Sequence, residues 1–584
     1  MAPDAAGNAD LDAVRTVPQI HRVAKPGGAR TQLTFFTERV AGGRYNPADG
    51  NTFVYSKDTG GGEWYQIYVY DARTGRSTLL TDGKSRNVGP VWSRDGKHIA
   101  YTSTKRNGRD SDIWVVDPRD PASARLLFEA DGGGWSVDDW SPDGASIAVT
   151  RKVSAYESAL FLIAAADGKK TPLSPQHPGV AYQGAEFAPD GKRIYLITNE
   201  DSDFERLASI DLASQKLTLL RPSLKWDIQG FELSRDGARL AYVVNVDGTE
   251  TLHALETASG KELHLPKLPS GGIGGMRWHA NGRDLGFSVT SARSPSDVYS
   301  VNVDTGALER WTASETGGLD ANAFSEPKLI RWKSFDGLGI SGYLYAPPKR
   351  FTGPRPVIVN IHGGPEGQFQ PGYLGANNYL IDELGATLIF PNVRGSSGYG
   401  KTFLNLDNGR KREDSVKDIG ALLDWIATQP DLDKDRVMVT GGSYGGYMTL
   451  ASMTHFNARF RCALDVVGIS NWITFLEHTE AYRRDLRRVE YGDERDADMR
   501  EFLQRISPIA NVRNISKPMF IVAGKNDPRV PYTEGEQMTE AIRANGGPVW
   551  YLLAADEGHG FAKKSNREFQ FAATVLFIQQ YLLQ

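Results

Sequence analysis

The sequence predicts two parts: an N-terminal β-propeller, nominally of seven blades with an irregular first one, and a C-terminal α/β domain on a mostly parallel sheet. Three observations predict this. The chain has 584 residues, too many for one ordinary core. A turn motif recurs through the first half, with its glycines at Gly50, Gly96, Gly144, Gly191, Gly237 and Gly282, spaced 45 to 48 residues apart. After Trp311 that period stops, and apolar runs begin to alternate with helix-like stretches.

The repeat defines the propeller. YNPADGNTFVY, VWSRDGKHIAY, DWSPDGASIAV, FAPDGKRIYL, LSRDGARLAY and WHANGRDLGF each set Asp-Gly or Asn-Gly between β-prone runs. That is the hairpin signal, because glycine supplies the positive φ such turns need. A second hairpin unit follows at the same period, from QIHRVAKPGGARTQLT at Gln19 to DVYSVNVDTGALERWT at Asp297. Two hairpins make a four-stranded sheet, and radial packing of such sheets covers both faces of each blade. The second unit has seven copies and the first only six, so the blade at residues 19 to 34 lacks a visible inner pair. Residues 1 to 14 or 313 to 325 are the candidates to supply it. The expected organisation is an extension over 1–18, the propeller over 19–325 and the α/β domain over 326–584.

In the second half, PVIVNIHGG, ATLIFPNVRG, RVMVTGG, ALDVVGI, PMFIVAGKND and VWYLLAADEGHG are unbroken apolar strands that end in glycine or polar turns. DSVKDIGALLDWIATQ has helical spacing, and a final helix lies in REFQFAATVLFIQQYLL. Such strands alternating with helices imply a parallel sheet covered on both faces, with chemistry at the strand ends.

The polar motifs stand at those ends. Gly441-Gly442-Ser443-Tyr444-Gly445 fits G-x-S-x-G between a strand and a helix, the context of a nucleophile elbow. A serine hydroxyl needs a base. His559, in ADEGHGF, is a histidine at a late strand end; His455 and His478 read as structural residues of helical stretches. The imidazole needs a carboxylate, and Asp527 in GKNDPRVP is preferred over the flanking Asp556 and Glu557. The order Ser, Asp, His is that of an α/β-hydrolase domain. An oxyanion requires donors, for which the backbone N–H groups of Tyr444 and Gly364, the latter in HGGPEG, are chosen. NVRGSSGYG lacks a nucleotide-loop pattern and reads as a loop bordering the site. YRRDLRRVEYGD reads as a solvated, salt-bridged helix face.

HGGP, N-x-RGSSGYG, GGSYGGYM, D-x-RVP and DEGHGF, in this order behind PDG repeats, resemble the prolyl oligopeptidase family of serine peptidases from about residue 19 onward. HGGP resembles its acylaminoacyl-peptidase branch, in which a main-chain N–H takes the place of a tyrosine hydroxyl; His362 stands where that tyrosine would be. The resemblance implies Ser443, Asp527 and His559 as the triad and Arg529 as a donor to a peptide carbonyl. It also places Trp472 and Phe475 at the first specificity pocket, where they are equally readable as core. It further implies a propeller that admits only short or flexible peptides, and the expected substrates are N-acylated or otherwise short oligopeptides. The adjacent Glu-Glu pair of dipeptidyl members is absent from the propeller half. An esterase or amidase with the same triad, a dipeptidyl peptidase and a catalytically silent binding propeller are the rival readings.

The bulk figures narrow the partners. Net charge is −4 with both signs interspersed, so no patch marks a nucleic-acid or acidic-lipid partner. The single Cys462 allows no intramolecular disulfide and no cysteine metal site, and it reads as a buried thiol. The expected chemistry uses no metal and no cofactor. No apolar run is long enough to span a membrane. The Ala/Asp-rich start lacks the order of a secretion signal; it fits a native end or the remainder after signal removal, which leaves the compartment open. A homo-oligomer is compatible with the sequence, which singles out no interface.

Overall fold

The computed structural model describes residues 8–12, 17–221 and 223–584. Six consecutive antiparallel sheets carry the repeat. The first contains Val40–Tyr45, Thr52–Lys57, Gln66–Asp71 and Arg76–Leu79, and the last contains Gly271–Trp278, Asp284–Ser291, Ser294–Asn302 and Leu308–Arg310. The fifth has three regular strands, with only an isolated bridge from Leu255 to Glu262 where a fourth would run.

Each Asp-Gly turn follows from its sequence. In the third blade Ser141 Oγ donates to Asp143 Oδ1 at 2.6 Å, and Asp143 Oδ1 accepts the Ala145 N–H at 3.0 Å, while Gly144 takes a φ of 71°. The aromatic residue before the turn joins neighbouring blades. The indole N–H groups of Trp92, Trp140 and Trp278 donate to Arg44 O (2.9 Å), Val91 O (3.2 Å) and Glu232 O (2.9 Å) of the preceding blade. Where Phe187 and Leu233 replace tryptophan, their backbone N–H groups donate instead to Asp139 (3.0 Å) and Glu186 (2.9 Å). A carboxylate thus does the work of the missing indole.

The nominal count of seven is not reached by full blades. Six carry the repeat, and the remaining sheet has three strands, Asn8–Asp12, Gln19–Val23 and Arg30–Gln32. Residues 8–12 pair antiparallel with 19–23, so the segment expected as an extension holds a strand of this sheet. The rest of residues 1–16 lies outside the described residues. Residues 313–325 contribute no strand; they hold a short turn of helix at Ala321–Ala323, and Ser314 caps the last blade through Asp297.

The second half is one eight-stranded sheet. We label its strands β1 (Lys328–Lys333), β2 (Gly339–Tyr345), β3 (Arg355–Ile361), β4 (Thr387–Asn392), β5 (Leu432–Gly442), β6 (Cys462–Val466), β7 (Met519–Gly524) and β8 (Val549–Ala554). Their spatial order is β1-β2-β4-β3-β5-β6-β7-β8, parallel from β4 onward. This is the α/β-hydrolase arrangement. Every residue of β4 and β7 is buried, as apolar strands covered on both faces require. One face packs against α1 (Arg412–Ala427) and α2 (Tyr444–Phe456), together with α3 (Trp472–His478). The other is covered by the last helix, through Phe577, Ile578 and the following Leu582. Cys462 is buried there, and burial raises its thiol to about 12. Among the described residues no helix is long and apolar enough to cross a membrane.

The two halves meet through polar contacts. Asn526 Nδ2 donates to Gly60 O at 2.9 Å, Lys401 N to Asp203 O at 2.8 Å, and Ser341 Oγ to Asp247 at 2.9 Å, where Arg331 also pairs. Gly61 and Gly558 approach so closely that a Cβ on Gly61 would lie 2.5 Å from Gly558 N. The propeller therefore abuts the loop that carries His559.

Candidate active site

At the end of β5 the chain turns abruptly into α2. Ser443 occupies the corner with φ 59° and ψ −120°, in backbone space that L-residues rarely adopt. The glycines make the corner sterically feasible: a Cβ on Gly445 would lie 2.1 Å from Ile361 O, and one on Gly441 2.4 Å from Gly445 O. Ser443 N donates to Val466 O at 2.9 Å, which ties the corner to the end of β6. The N–H of Tyr444 opens α2 and has no acceptor among the described residues, so the positive end of the helix faces outward there.

Asp527 lies three residues beyond β7. Its Oδ1 accepts the N–H groups of Arg529 (2.8 Å) and Val530 (3.0 Å), and its Oδ2 accepts a hydrogen bond from His559 Nδ1 at 2.7 Å. Its side chain is fully enclosed, while that of His559 keeps 13% exposure. Asp556 and Glu557 are engaged elsewhere. Asp556 pairs with Lys563 at 2.7 Å, and Glu557 accepts the Ala562 and Lys563 N–H groups at 2.9 Å each. His455 bonds Glu413 and His478 bonds Thr474 O, both at the surface. Ser443 Oγ makes no hydrogen bond to His559.

The HGGP loop leaves the end of β3 and runs beside the corner. A Cβ on Gly363 would lie 3.0 Å from Gly442 O and 3.3 Å from Ser443 Cβ. Gly364 has φ 136°, and its N–H has no acceptor among the described residues. Its carbonyl accepts a hydrogen bond from Tyr491 Oη at 2.8 Å.

Residues 373–584 match the prolyl oligopeptidase family, and residues 15–221 match the TolB β-propeller domain. Residues 373–584 therefore form a prolyl oligopeptidase family domain, and the chain is a serine peptidase. It is similar to dipeptidyl aminopeptidase BIII of Pseudoxanthomonas mexicana, 28% identical over 563 residues, covering 91% of this chain and 79% of that one. A structure from a work on two prolyl endopeptidases superposes with a TM-score of 0.87 at 18% identity, covering 99% of this chain and 88% of that one. The acylaminoacyl peptidase of Pyrococcus horikoshii gives 0.74 at 20% identity, over 99% and 93% of the two chains.

Several features of this peptidase differ from the sequence reading. Trp472 and Phe475 are 0% and 1% exposed; Trp472 packs at a tilt against Tyr447 and Tyr491, and Phe475 meets Tyr491 edge-on. They line no open surface and form the core beneath the HGGP loop. Arg529 points across the domain boundary, its Nε donating to Glu63 of the propeller at 2.7 Å. The arginine-rich helix α4 (Ala481–Tyr491) is not uniformly a solvated face. Its Arg487 reaches Glu366 beside Gly364 at 3.3 Å. Burial raises the Glu366 carboxyl, but Arg487 and further contacts outweigh it and leave the net pKa below the ordinary value. Arg483 has no ion pair among the described residues; burial, with Arg487 and Arg529 nearby, lowers it to about 10. The i, i+4 spacing of Arg483 and Arg487 was the available signal, since it puts both on one face.

A buried polar cluster backs the other donor. Arg412 bonds Asp407 at 2.6 Å and Glu490 at 3.0 Å, and Tyr444 Oη donates to Asp407 at 3.0 Å. This pins the side chain of the residue whose backbone N–H opens α2. Burial raises Asp407 to about 6 and Glu490 to about 7, even with Arg412 drawing both down.

Proposed function

We propose that this peptidase cleaves short peptides through Ser443, His559 and Asp527. His559 takes the Ser443 proton as Oγ attacks the scissile carbonyl. The N–H groups of Tyr444 and Gly364 hold the oxyanion, and His559 then protonates the leaving amine. Water repeats the sequence to release the acyl-enzyme. Asp527 holds the imidazole with its proton on Nδ1, which leaves Nε2 free to act as the base. The 2.7 Å bond between His559 and Asp527, at the ends of the adjacent strands β7 and β8, carries this reading. The missing contact between Ser443 and His559 is consistent with it, because catalytic hydrogen bonds commonly tighten only in the Michaelis complex. In the same reading the three-stranded sheet of residues 8–32 closes the propeller ring, and the propeller limits substrate size. Gly27 N donating to Trp311 O (3.1 Å) and Val40 N to Pro18 O (3.0 Å) support the closure.

The test is turnover and fluorophosphonate labelling of Ser443→Ala beside wild type. Both should vanish in the variant, and retained peptide cleavage would overturn the assignment. A peptide series of increasing length, with free, N-acylated and internal scissile bonds, then reads the cleavage mode.

One observation favours a dipeptidyl reading over an N-acyl preference. Glu205, half-buried at the propeller's boundary with the catalytic half, is pushed up to about 8 by burial and by nearby Asp227. Asp227 accepts the Glu205 N–H at 2.8 Å and the Gly400 N–H of the catalytic half at 3.3 Å. Gln183 Nε2 donates to Glu205 Oε1 at 2.8 Å, and a carboxyl kept neutral by burial would ionise on pairing with a protonated amino terminus. Glu205→Gln should then impair free-amino peptides selectively; equal loss on N-acylated peptides would exclude this reading.

A further inference from the structure

Helix α4 opens against the propeller, and polar groups around its first turn lack partners. Tyr482 is 9% exposed, and its hydroxyl has no hydrogen bond among the described residues. The ring is fixed on two sides. The guanidinium of Arg86, from the propeller, lies 4.2 Å from its centroid, and Trp64 meets it edge-on at 6.3 Å. Arg86 Nε is itself buried and unbonded. Among the described residues neither Arg86 nor Arg483, which follows Tyr482 on α4, forms an ion pair.

Carboxylates on the surrounding elements face other cations. Glu366 pairs with Arg487 at 3.3 Å, Glu63 with Arg529 at 2.7 Å and Asp485 with Arg488 at 2.9 Å. Glu480, which precedes the helix, pairs with neither free arginine. The Tyr482 phenol therefore senses Arg86, Arg483 and Arg529 against the single carboxylate of Glu63. Burial raises its pKa, so the hydroxyl remains a donor at neutral pH. Arg483, at about 10, keeps its charge there as well. An enclosed charge without a counter-ion is costly, and these two arginines do not shed theirs.

The place is close to the chemistry. Arg487 lies four residues along α4 from Arg483, about 6 Å of helix, and holds Glu366 beside Gly364. Arg529 stands two residues after Asp527. A Cβ on Gly133 would lie 2.1 Å from Tyr482 O, so the propeller closes directly on this turn.

We propose that Arg86, Tyr482 and Arg483 form a carboxylate-binding subsite at the domain boundary, which selects peptides that carry a C-terminal carboxylate or an Asp or Glu side chain there. The forked donors of arginine match the two carboxylate oxygens, and the phenol adds a further donor. The bound carboxylate supplies the counter-ion that the fold withholds. Because Arg86 belongs to the propeller, the subsite is complete only with the two halves together. The inference deepens the peptidase reading above and rests on it.

Peptide pairs that differ only in charge test it: a C-terminal acid against its amide, and Glu against Gln at successive positions on either side of the scissile bond. Calorimetry on full-length Ser443→Ala gives Kd, and wild type gives kcat/KM. In one arm the acid should bind about 10- to 100-fold more tightly than its neutral partner, as a charge-assisted pair allows. The arm that responds identifies the source of the carboxylate, and the advantage should shrink as salt is raised. Arg483→Met and Arg86→Met should each bring the acid-to-neutral ratio to within about threefold of one. Tyr482→Phe, which keeps the ring beneath Arg86, should lower the ratio about threefold. Arg483→Lys keeps the charge without the fork and should fall between wild type and Arg483→Met. If Arg86→Met fails to fold, the two Arg483 variants carry the comparison. Equal affinity within every pair, or a preference that survives Arg483→Met with an unchanged Tm, would overturn the subsite. Residual turnover by Ser443→Ala would instead overturn the nucleophile and leave the ratio standing, so the two failures are distinct.

Discussion

Replacing Asp527 by asparagine tests how the site sets the proton on His559. The two carboxylate oxygens have different partners. Oδ1 accepts the Arg529 and Val530 N–H groups at 2.8 and 3.0 Å, and Oδ2 faces His559 Nδ1 at 2.7 Å. In Asp527→Asn the amide oxygen must stay at the Oδ1 position, because an amino group cannot accept two backbone N–H bonds. Its NH₂ then donates to His559 Nδ1, which leaves the ring proton on Nε2. A nitrogen that already carries a proton cannot take one from Ser443. Recovering the active tautomer would set N–H against N–H at about hydrogen-bond distance in an enclosed site, with the charge-assisted bond lost. We expect kcat to fall about 10³- to 10⁴-fold, or about 4–5.5 kcal/mol of transition-state stabilisation, with KM little changed. Asp527→Ala is the matched control. It removes both N–H acceptors and should be less stable than the asparagine variant by about 1–3 kcal/mol. It leaves Nδ1–H free to meet water, so its kcat should be no lower. Steady-state hydrolysis of a short peptide p-nitroanilide and urea unfolding measure the two effects. An asparagine variant within tenfold of wild type would show that Asp527 does not set the proton on His559.

Other perturbations give separate readouts. Arg412→Met leaves Asp407 and Glu490 buried without their cation and should cost about 3–5 kcal/mol in urea unfolding; adding Asp407→Asn and Glu490→Gln should recover most of it. Burial raises Asp465 to about 8, above its unfolded value near 3.9. The folded state therefore holds the extra proton between these values, and stability should fall as pH rises through that window, by at most about 1.4 kcal/mol per pH unit. Asp465→Asn should flatten this dependence in Tm measured from pH 5 to 9; parallel profiles would count against it. Trp472→Ala should cost about 3–5 kcal/mol of stability, as for a core tryptophan. Trp472→Phe should leave the ranking of substrates by kcat/KM unchanged, and a reordered ranking would return Trp472 to a specificity pocket.

Much of this architecture is written in local pattern. Asp-Gly turns, the period of the repeat and the strand–Gly–Ser–Gly–helix corner depend on residues a few positions apart, so the chain itself displays them. By its order and context the sequence determined the propeller, the hydrolase sheet and the candidates Ser443, Asp527 and His559. Even the preference for Asp527 over Asp556 had a local reason, since side chains adjacent to a histidine rarely reach its ring.

What the tertiary structure alone decided depends on which faces meet. Arg529 meets Glu63 across 466 residues of chain, and Arg487 meets Glu366 across 121. No periodicity encodes such partners. Trp472 and Phe475 stand after β6 in either reading, and only the packing of α4 across them shows that they are enclosed. The strand at Asn8–Asp12 carries no repeat motif and is recognisable only by its pairing with Gln19–Val23. His362 could be located from sequence, but the partners of its ring, Gly363 O and Ser396 Oγ at 2.8 Å each, could not. The direction of an N–H is set by what holds the carbonyl of the same peptide, and that partner appears only when the loop is folded against Ser396 and Ser443.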